Sequence, residues 1–148
     1  MQKQSDIIII GAGIAGLVCA LESLKKGKSV LLIDAQSRQR IGGLARVAFG
    51  GMALVGTPEQ KSRGIKDSPE IAYRDWCSFA GFDDNNNDNY WPKQWAKYYV
   101  EHSISEVYEY IKDLNIKFLP AVSWVERGLY VPGNSLPRYH ILWGASLG

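Results

Sequence analysis

Cysteine is scarce in this chain of 148 residues, and the two present, Cys19 and Cys77, lie far apart with no C-x-x-C between them. With only two histidines besides and no cluster of the two residue types, the composition excludes a disulfide scaffold and offers no metal site. The thiols suit a reducing, cytoplasmic compartment. A long hydrophobic run is also missing. The stretch from Ile7 to Leu21 is divided by Gly11, Gly13 and Gly16, and nothing else approaches the ~20 apolar residues that a spanning helix needs. Lys3 ahead of that stretch could suggest a secretion signal, but Asp6 interrupts it. No membrane insertion is expected. Charge of one sign is lacking too: 17 basic and 15 acidic side chains leave +2, with no block of either, so nucleic acid is not an expected partner. What remains, 46% hydrophobic and 22% charged, is the make-up of an ordinary globular domain, for which a small molecule is the expected partner in place of nucleic acid.

Ile7 to Ile10 form a short β-branched run without polar alternation, the pattern of a strand buried on both faces of a parallel sheet. A helix is expected from Ile14 to Lys26, followed by a second strand from Ser29 to Ile33 that ends at Asp34. Together these pieces make a β-α-β unit with a right-handed crossover. Farther on, Ser68 as N-cap, Pro69, Glu70 and the stop Gly81 bracket a helix. "FDDNNNDN" reads as a polar loop that lacks the glycine and terminal Glu of a calcium-binding EF-hand. One long helix should run from Pro92 to Leu114, with Trp95, Tyr99, Val107, Ile111 and Leu114 near helical spacing and Asn115 at its end. The stretch "KFLPAVSWVERGLYV" looks extended, with a hairpin turn at Glu126-Arg127-Gly128.

Gly11-x-Gly13-x-x-Gly16 follows a strand and opens a helix, the place where dinucleotide chemistry needs it. The first glycine permits the tight turn, the second lets a pyrophosphate approach the backbone, and the third lets helix and strand pack closely. The helix N-terminus, at Ile14 and Ala15, supplies free N–H groups and a partial positive charge. Asp34, at the end of the second strand, is placed to accept hydrogen bonds from a ribose hydroxyl pair and disfavours the 2′-phosphate of NADP. The fingerprint serves FAD and NAD alike. Gly42-Gly43, eight residues after Asp34, favours FAD, because a second glycine pair there resembles the flavoprotein branch. Flavoproteins more often carry Glu at the Asp34 position.

The stretch "IGGLARVAFGGMALVGTPEQKSRGIKDSPEIAYRDW" resembles the FAD-binding dehydrogenases of the fumarate reductase, succinate dehydrogenase flavoprotein and 3-ketosteroid Δ1-dehydrogenase superfamily. With "WPKQWAKYYVE", "VSWVERG" and "GNSLPRYHILWG", the similarity narrows to a ketosteroid-dehydrogenase-like bacterial group and spans nearly the whole chain. The resemblance implies an α/β, Rossmann-like FAD-binding domain, present in part over residues 1–90, with the start of an α+β substrate-capping region over 91–148. It implies an FAD-dependent oxidoreductase acting on a C–C bond beside a carbonyl or carboxylate, with hydride transfer at flavin N5, a small-molecule substrate and a separate electron donor or acceptor. The expected cofactor-binding residues are Gly11, Gly13, Ile14, Ala15, Gly16, Asp34, Gly42, Gly43 and Leu44, with Gly50 and Gly51 on a segment that passes near the flavin ring. Superfamily members run to several hundred residues, so the chain reads as an N-terminal fragment whose acid–base residue lies beyond residue 148. Gly144 to Gly148 would open the next helix.

Arg138 and His140 match an Arg-x-His pattern that lies near the substrate in soluble fumarate reductases, which makes them candidate substrate contacts; the competing reading is structural for both. His102 is expected to be structural and Cys19 to be a small buried packing residue. Trp91, Trp95, Tyr98 and Tyr99 are read as core or domain interface rather than as a pocket for a flat substrate. Two rival functions remain open: an FAD amine oxidase or desaturase, and a non-catalytic nucleotide-binding stub whose incomplete sheet would leave apolar faces exposed.

Overall fold

The computed structural model describes residues 4–48, 50–83, 87–123 and 133–143. These form two compact units, one of the described residues up to 48 and one of those from 50 to 143.

The first unit is a β-α-β element. Strand β1 (Ile7–Ile10) leads into helix α1 (Ile14–Lys25) and then strand β2 (Val30–Ile33). The strands pair in parallel, Ile7 opposite Val30 through to Ile10 opposite Ile33. Asp6 and Ser29 exchange backbone-to-side-chain hydrogen bonds of 2.9 and 2.8 Å and so lock the register where the strands begin. Helix α1 packs on one face of the pair, over Ile7, Ile9, Val30 and Leu32. The opposite face is bare: Ile8 is 61% and Ile10 85% exposed, and Leu31 and Ile33 are exposed with them. Burial on both faces, expected for β1, therefore holds on one face only, because α1 can cover a single side. Cys19 also departs from expectation. It is exposed, whereas Ala20 beside it is buried, because α1 turns its small residues toward the strands.

The second unit is built on an antiparallel sheet in the order β3 (Gly51–Ala53), β5 (Tyr139–Leu142), β4 (Phe118–Ser123). Between β3 and β4 come helices α2 (Pro58–Ser62), α3 (Pro69–Ala80), α4 (Tyr90–His102) and α5 (Glu109–Asp113). The bracketing of α3 is as the sequence predicts: the Ser68 hydroxyl accepts the Ile71 N–H, and Gly81 closes the helix in the left-handed region at φ 64°. One apolar cluster gathers Leu54, Tyr108, Ile111 and Phe118, and a second gathers Val55, Ala72 and Val100.

The long helix expected from Pro92 starts earlier, at Tyr90, since proline in a first turn has no N–H to leave unsatisfied. It is also not uniform. A π-helical stretch, Ser103–Tyr108, joins α4 to α5, and the buried residues Ser103 and Tyr108 stand five apart as that winding requires. Trp95 is 70% exposed because the buried side of α4 runs through Ala96 and Val100, and Trp95 lies about 140° around the helix from Val100. Trp91 and Tyr98 are exposed as well, which overturns the core reading of that aromatic group; only Tyr99 is drawn inward, its hydroxyl donating to the Ala53 carbonyl at 2.9 Å. The expected turn at Glu126-Arg127-Gly128 and helix opening at Gly144 to Gly148 lie outside the described residues. No helix among the described residues is long and apolar enough to cross a membrane.

The close fit of α1 on β1 yields a test. A Cβ on Gly16 would run into the Gly11 carbonyl oxygen and come within 3.4 Å of the Ile9 side chain. On helix propensity alone, Gly16→Ala would stabilise by about 0.5–1 kcal/mol. The clash reverses the sign, and a loss of about 1–3 kcal/mol is expected in urea unfolding. A variant at least as stable as the parent would show that the two backbones are not in contact.

Candidate functional site

The loop between β1 and α1 gathers most of the expected cofactor residues. Gly11 turns the chain at φ 101°, a conformation open to glycine, while its N–H donates to the Ile33 carbonyl at 2.7 Å. Ala12, 1% exposed, is held from two sides: its N–H donates to Asp34 Oδ2 at 2.6 Å and its carbonyl accepts the Gly42 N–H at 2.9 Å. Gly42, left-handed at φ 119°, thereby lays the second glycine pair against the first, and a Cβ on Gly43 would stand 3.3 Å from the Gly13 Cα. Leu44 follows on a 3-10 turn with 88% of its surface exposed.

Gly13 is the N-cap of α1, and no side chain caps the helix or places an acid in its first turn. The first intrahelical bond runs from the Leu17 N–H to the Gly13 carbonyl at 2.9 Å, so the N–H groups of Ile14, Ala15 and Gly16 precede any i−4 acceptor within the helix. The helix end thus offers donors and partial positive charge to an anion. Gly13 itself has ordinary extended angles, φ −75° and ψ −178°, and a Cβ added there would meet nothing within 4 Å. Neither backbone strain nor packing asks for glycine at this position.

Asp34 is half-buried, and its second oxygen, Oδ1, accepts the Gln36 N–H at 2.7 Å. Those backbone N–H groups, Ala12 first and Gln36 next, hold its carboxyl below the usual carboxylate value. A carboxylate has about four lone-pair sites, so the two oxygens keep capacity for a pair of hydroxyl donors.

Gly50, Gly51, Arg138 and His140 belong to the second unit. Gly51 lies under the Tyr139 ring, which a Cβ there would enter. Arg138, 8% exposed, makes a fork to Asp67 through Nε at 2.7 Å and Nη2 at 2.8 Å, while Nη1 reaches Asp75 at 2.8 Å. His140 is fully buried. Its Nδ1 faces the Arg138 carbonyl at 2.6 Å and must donate there, which leaves Nε2 to accept from the Thr57 hydroxyl at 2.7 Å. Burial pushes the His140 imidazole down from its ordinary value, against the smaller pull of the carbonyl and of Glu59 and Asp67. Each side-chain nitrogen of Arg138 and of His140 has a partner inside the unit, an arrangement that serves structure.

The family model for the FAD binding domain matches residues 6–136, nearly the whole chain and all of the glycine loop. The chain belongs to the FAD binding domain family. It is 45% identical to a KsdD-like steroid dehydrogenase of Mycobacterium tuberculosis over 95% of this chain and 25% of the relative. A fumarate reductase (cytochrome) of Shewanella frigidimarina is 39% identical over 47% of the chain and 12% of that relative. Among solved structures, a 3-ketosteroid-delta4-(5alpha)-dehydrogenase from Rhodococcus jostii RHA1 in complex with 4-androstene-3,17-dione superposes with a TM-score of 0.70 at 25% identity, over 93% of this chain and 30% of that one. The chain thus spans about a quarter of the length of the steroid dehydrogenases it matches. The α/β fold read from the β-α-β pattern and the choice of FAD over NAD both hold.

Sequence reading passed over the polar core of this FAD binding domain. Thr57 and Gln60 form a reciprocal capping box at α2, both fully buried, and the Gln60 amide goes on to Asp67 Oδ2 at 3.0 Å and the Pro137 carbonyl at 2.9 Å. Thr-x-x-Gln with proline at the first helical position was a legible signal. The pairing of Arg138 with Asp67 and Asp75, 71 and 63 residues away, was not.

Two outcomes follow for this core. Burial raises the Asp75 carboxyl, but the Ser135 hydroxyl, Arg138 and the Ser135 N–H together hold it below its ordinary value, so it contributes stability above about pH 4 that is lost as pH falls further. Asp75→Asn strips Arg138 of one of its two charged partners, Asp67 remaining, and is expected to cost about 1.5–3 kcal/mol in urea unfolding at neutral pH, with the acid limb of the profile flattened; a cost below about 1 kcal/mol would show the pair to be solvated. His140, neutral when folded, makes the unfolded chain the better proton acceptor below about pH 6.5, so stability should already decline there as pH falls. His140→Asn should flatten that segment of the profile, and an unchanged slope would assign it to another group.

Proposed function

We propose that the chain forms the dinucleotide-holding part of an FAD-dependent oxidoreductase that acts on a C–C bond beside a carbonyl or carboxylate of a small-molecule substrate. Electrons would pass to or from a separate donor or acceptor. The names of the relatives support this reaction class, since both steroid dehydrogenase and fumarate reductase chemistry add or remove hydrogen across such a bond. When bound, the flavin supplies the hydride chemistry. This chain's residues would hold the cofactor: the N–H groups at Ile14, Ala15 and Gly16 would serve the pyrophosphate and Asp34 the ribose hydroxyls, and Gly42, Gly43 and Leu44 border the same loop. Gly50 and Gly51 are read as a flavin-side segment. Arg138 and His140, engaged as they are, act in this reading by bracing β5. The free thiols of Cys19 and Cys77 suit a reducing, cytoplasmic setting.

The observation that carries the cofactor assignment is Gly13, a glycine with relaxed angles and open space where its side chain would be. Gly13→Val is accordingly expected to cost no more than about 1 kcal/mol of stability, the loss of a favourable N-cap residue, while FAD affinity, measured by fluorescence titration, falls at least about a hundredfold, the scale of displacing several charge-assisted hydrogen bonds. A folded variant that retains FAD would remove the cofactor from this loop.

A further inference from the structure

The carboxylate of Asp34 is committed to the loop itself. One oxygen takes the Ala12 N–H at 2.6 Å and the other the Gln36 N–H at 2.7 Å, so the side chain bridges the turn before α1 and the turn after β2. Ala12, through its carbonyl, also takes the Gly42 N–H at 2.9 Å. Three chain segments therefore meet at one buried peptide, and Asp34 supplies the only charged group among these bonds. An acid whose sole partner was a ribose would have no call on either backbone N–H.

We propose that Asp34 is a positioning residue for the pyrophosphate: by clamping Ala12 it holds the glycine loop in its phosphate-receiving shape before any cofactor arrives. This inference rests on the cofactor reading of the loop. It differs from a ribose contact in the sign of one measurable effect. Inorganic pyrophosphate has no ribose, and a neighbouring carboxylate repels it. If Asp34 served the ribose alone, its removal would leave pyrophosphate affinity unchanged or raise it. If Asp34 positions the loop, its removal lowers that affinity in spite of the charge relieved.

The test compares the unsubstituted chain with Asp34→Ala and Asp34→Asn, using calorimetric titration with inorganic pyrophosphate and with ADP, and amide hydrogen exchange at Ala12. Asp34→Ala is expected to speed exchange at Ala12 and to weaken pyrophosphate binding, each by about tenfold, the worth of one charge-assisted hydrogen bond. Asp34→Asn keeps one carbonyl oxygen and so one of the two backbone bonds; it should shift both readouts in the same direction by less, and it serves if the alanine variant fails to fold. Unchanged exchange at Ala12, or pyrophosphate bound as tightly as before while ADP weakens, would overturn the inference and leave the cofactor reading standing. An unsubstituted chain that binds neither pyrophosphate nor ADP would overturn the cofactor reading and this inference with it.

Discussion

The first unit depends on how closely two backbones meet. Gly16 brings α1 against the Gly11 carbonyl at the end of β1, with no room for even a methyl group between them. That contact decides where the helix N-terminus points, and with it where the unpaired N–H groups and the positive end of the helix lie. The same turn places the Ala12 peptide within reach of Asp34 from β2 and of Gly42 from the chain beyond. Loosening the contact at Gly16 would therefore move the N–H donors of the glycine loop as well as the helix. A single packing constraint carries the geometry of the helix end.

The second unit is held differently. Its three-stranded sheet is short, and the buried apolar clusters are small, but a chain of polar groups runs through it from Asp75 and Asp67 by way of Arg138, Gln60 and Thr57 to His140. Low dielectric makes such a network strong when every member is satisfied and costly when one is removed. A buried ion pair adds little net stability over an apolar replacement, so its value here is directional. The fork between Arg138 and Asp67 accepts one geometry, and with the bond to Asp75 it fixes the chain entering β5 against α3 and the turn before it, where apolar contacts would tolerate several.

Apolar surface is the other notable property. One face of the parallel strand pair, with Ile8, Ile10, Leu31 and Ile33, meets solvent, as do Trp91 and Trp95 on α4. Parallel strands in α/β proteins are normally covered on both sides, and patches of this kind mark surfaces that other protein covers. The chain corresponds to about a quarter of its steroid dehydrogenase relatives. Faces shaped for burial but left bare are consistent with that share.

By itself, the sequence determined the local elements and the cofactor. A β-branched run, three glycines at fixed spacing and a terminal acid leave few conformations open, since each residue type is chosen by backbone sterics within about 30 positions, and the serine–proline start and glycine stop of α3 are local for the same reason. Contacts between distant residues were decided only in the tertiary structure. His140 and Arg138 carry the same functional groups whether they face a substrate or a buried threonine and two aspartates, and no spacing rule separates the cases. The long helix carries a π-winding at Ser103–Tyr108 without any signal in its composition, and Trp95 faces outward because Ala96 and Val100 take the buried side of α4. Asp34 could be read as an acceptor from its position after β2, but that each of its oxygens already accepts a backbone N–H, from Ala12 and from Gln36, followed only once the turn had brought those groups to it. Local sterics are written residue by residue, whereas the partner of a charge is set by whatever the folded chain brings within about 3 Å.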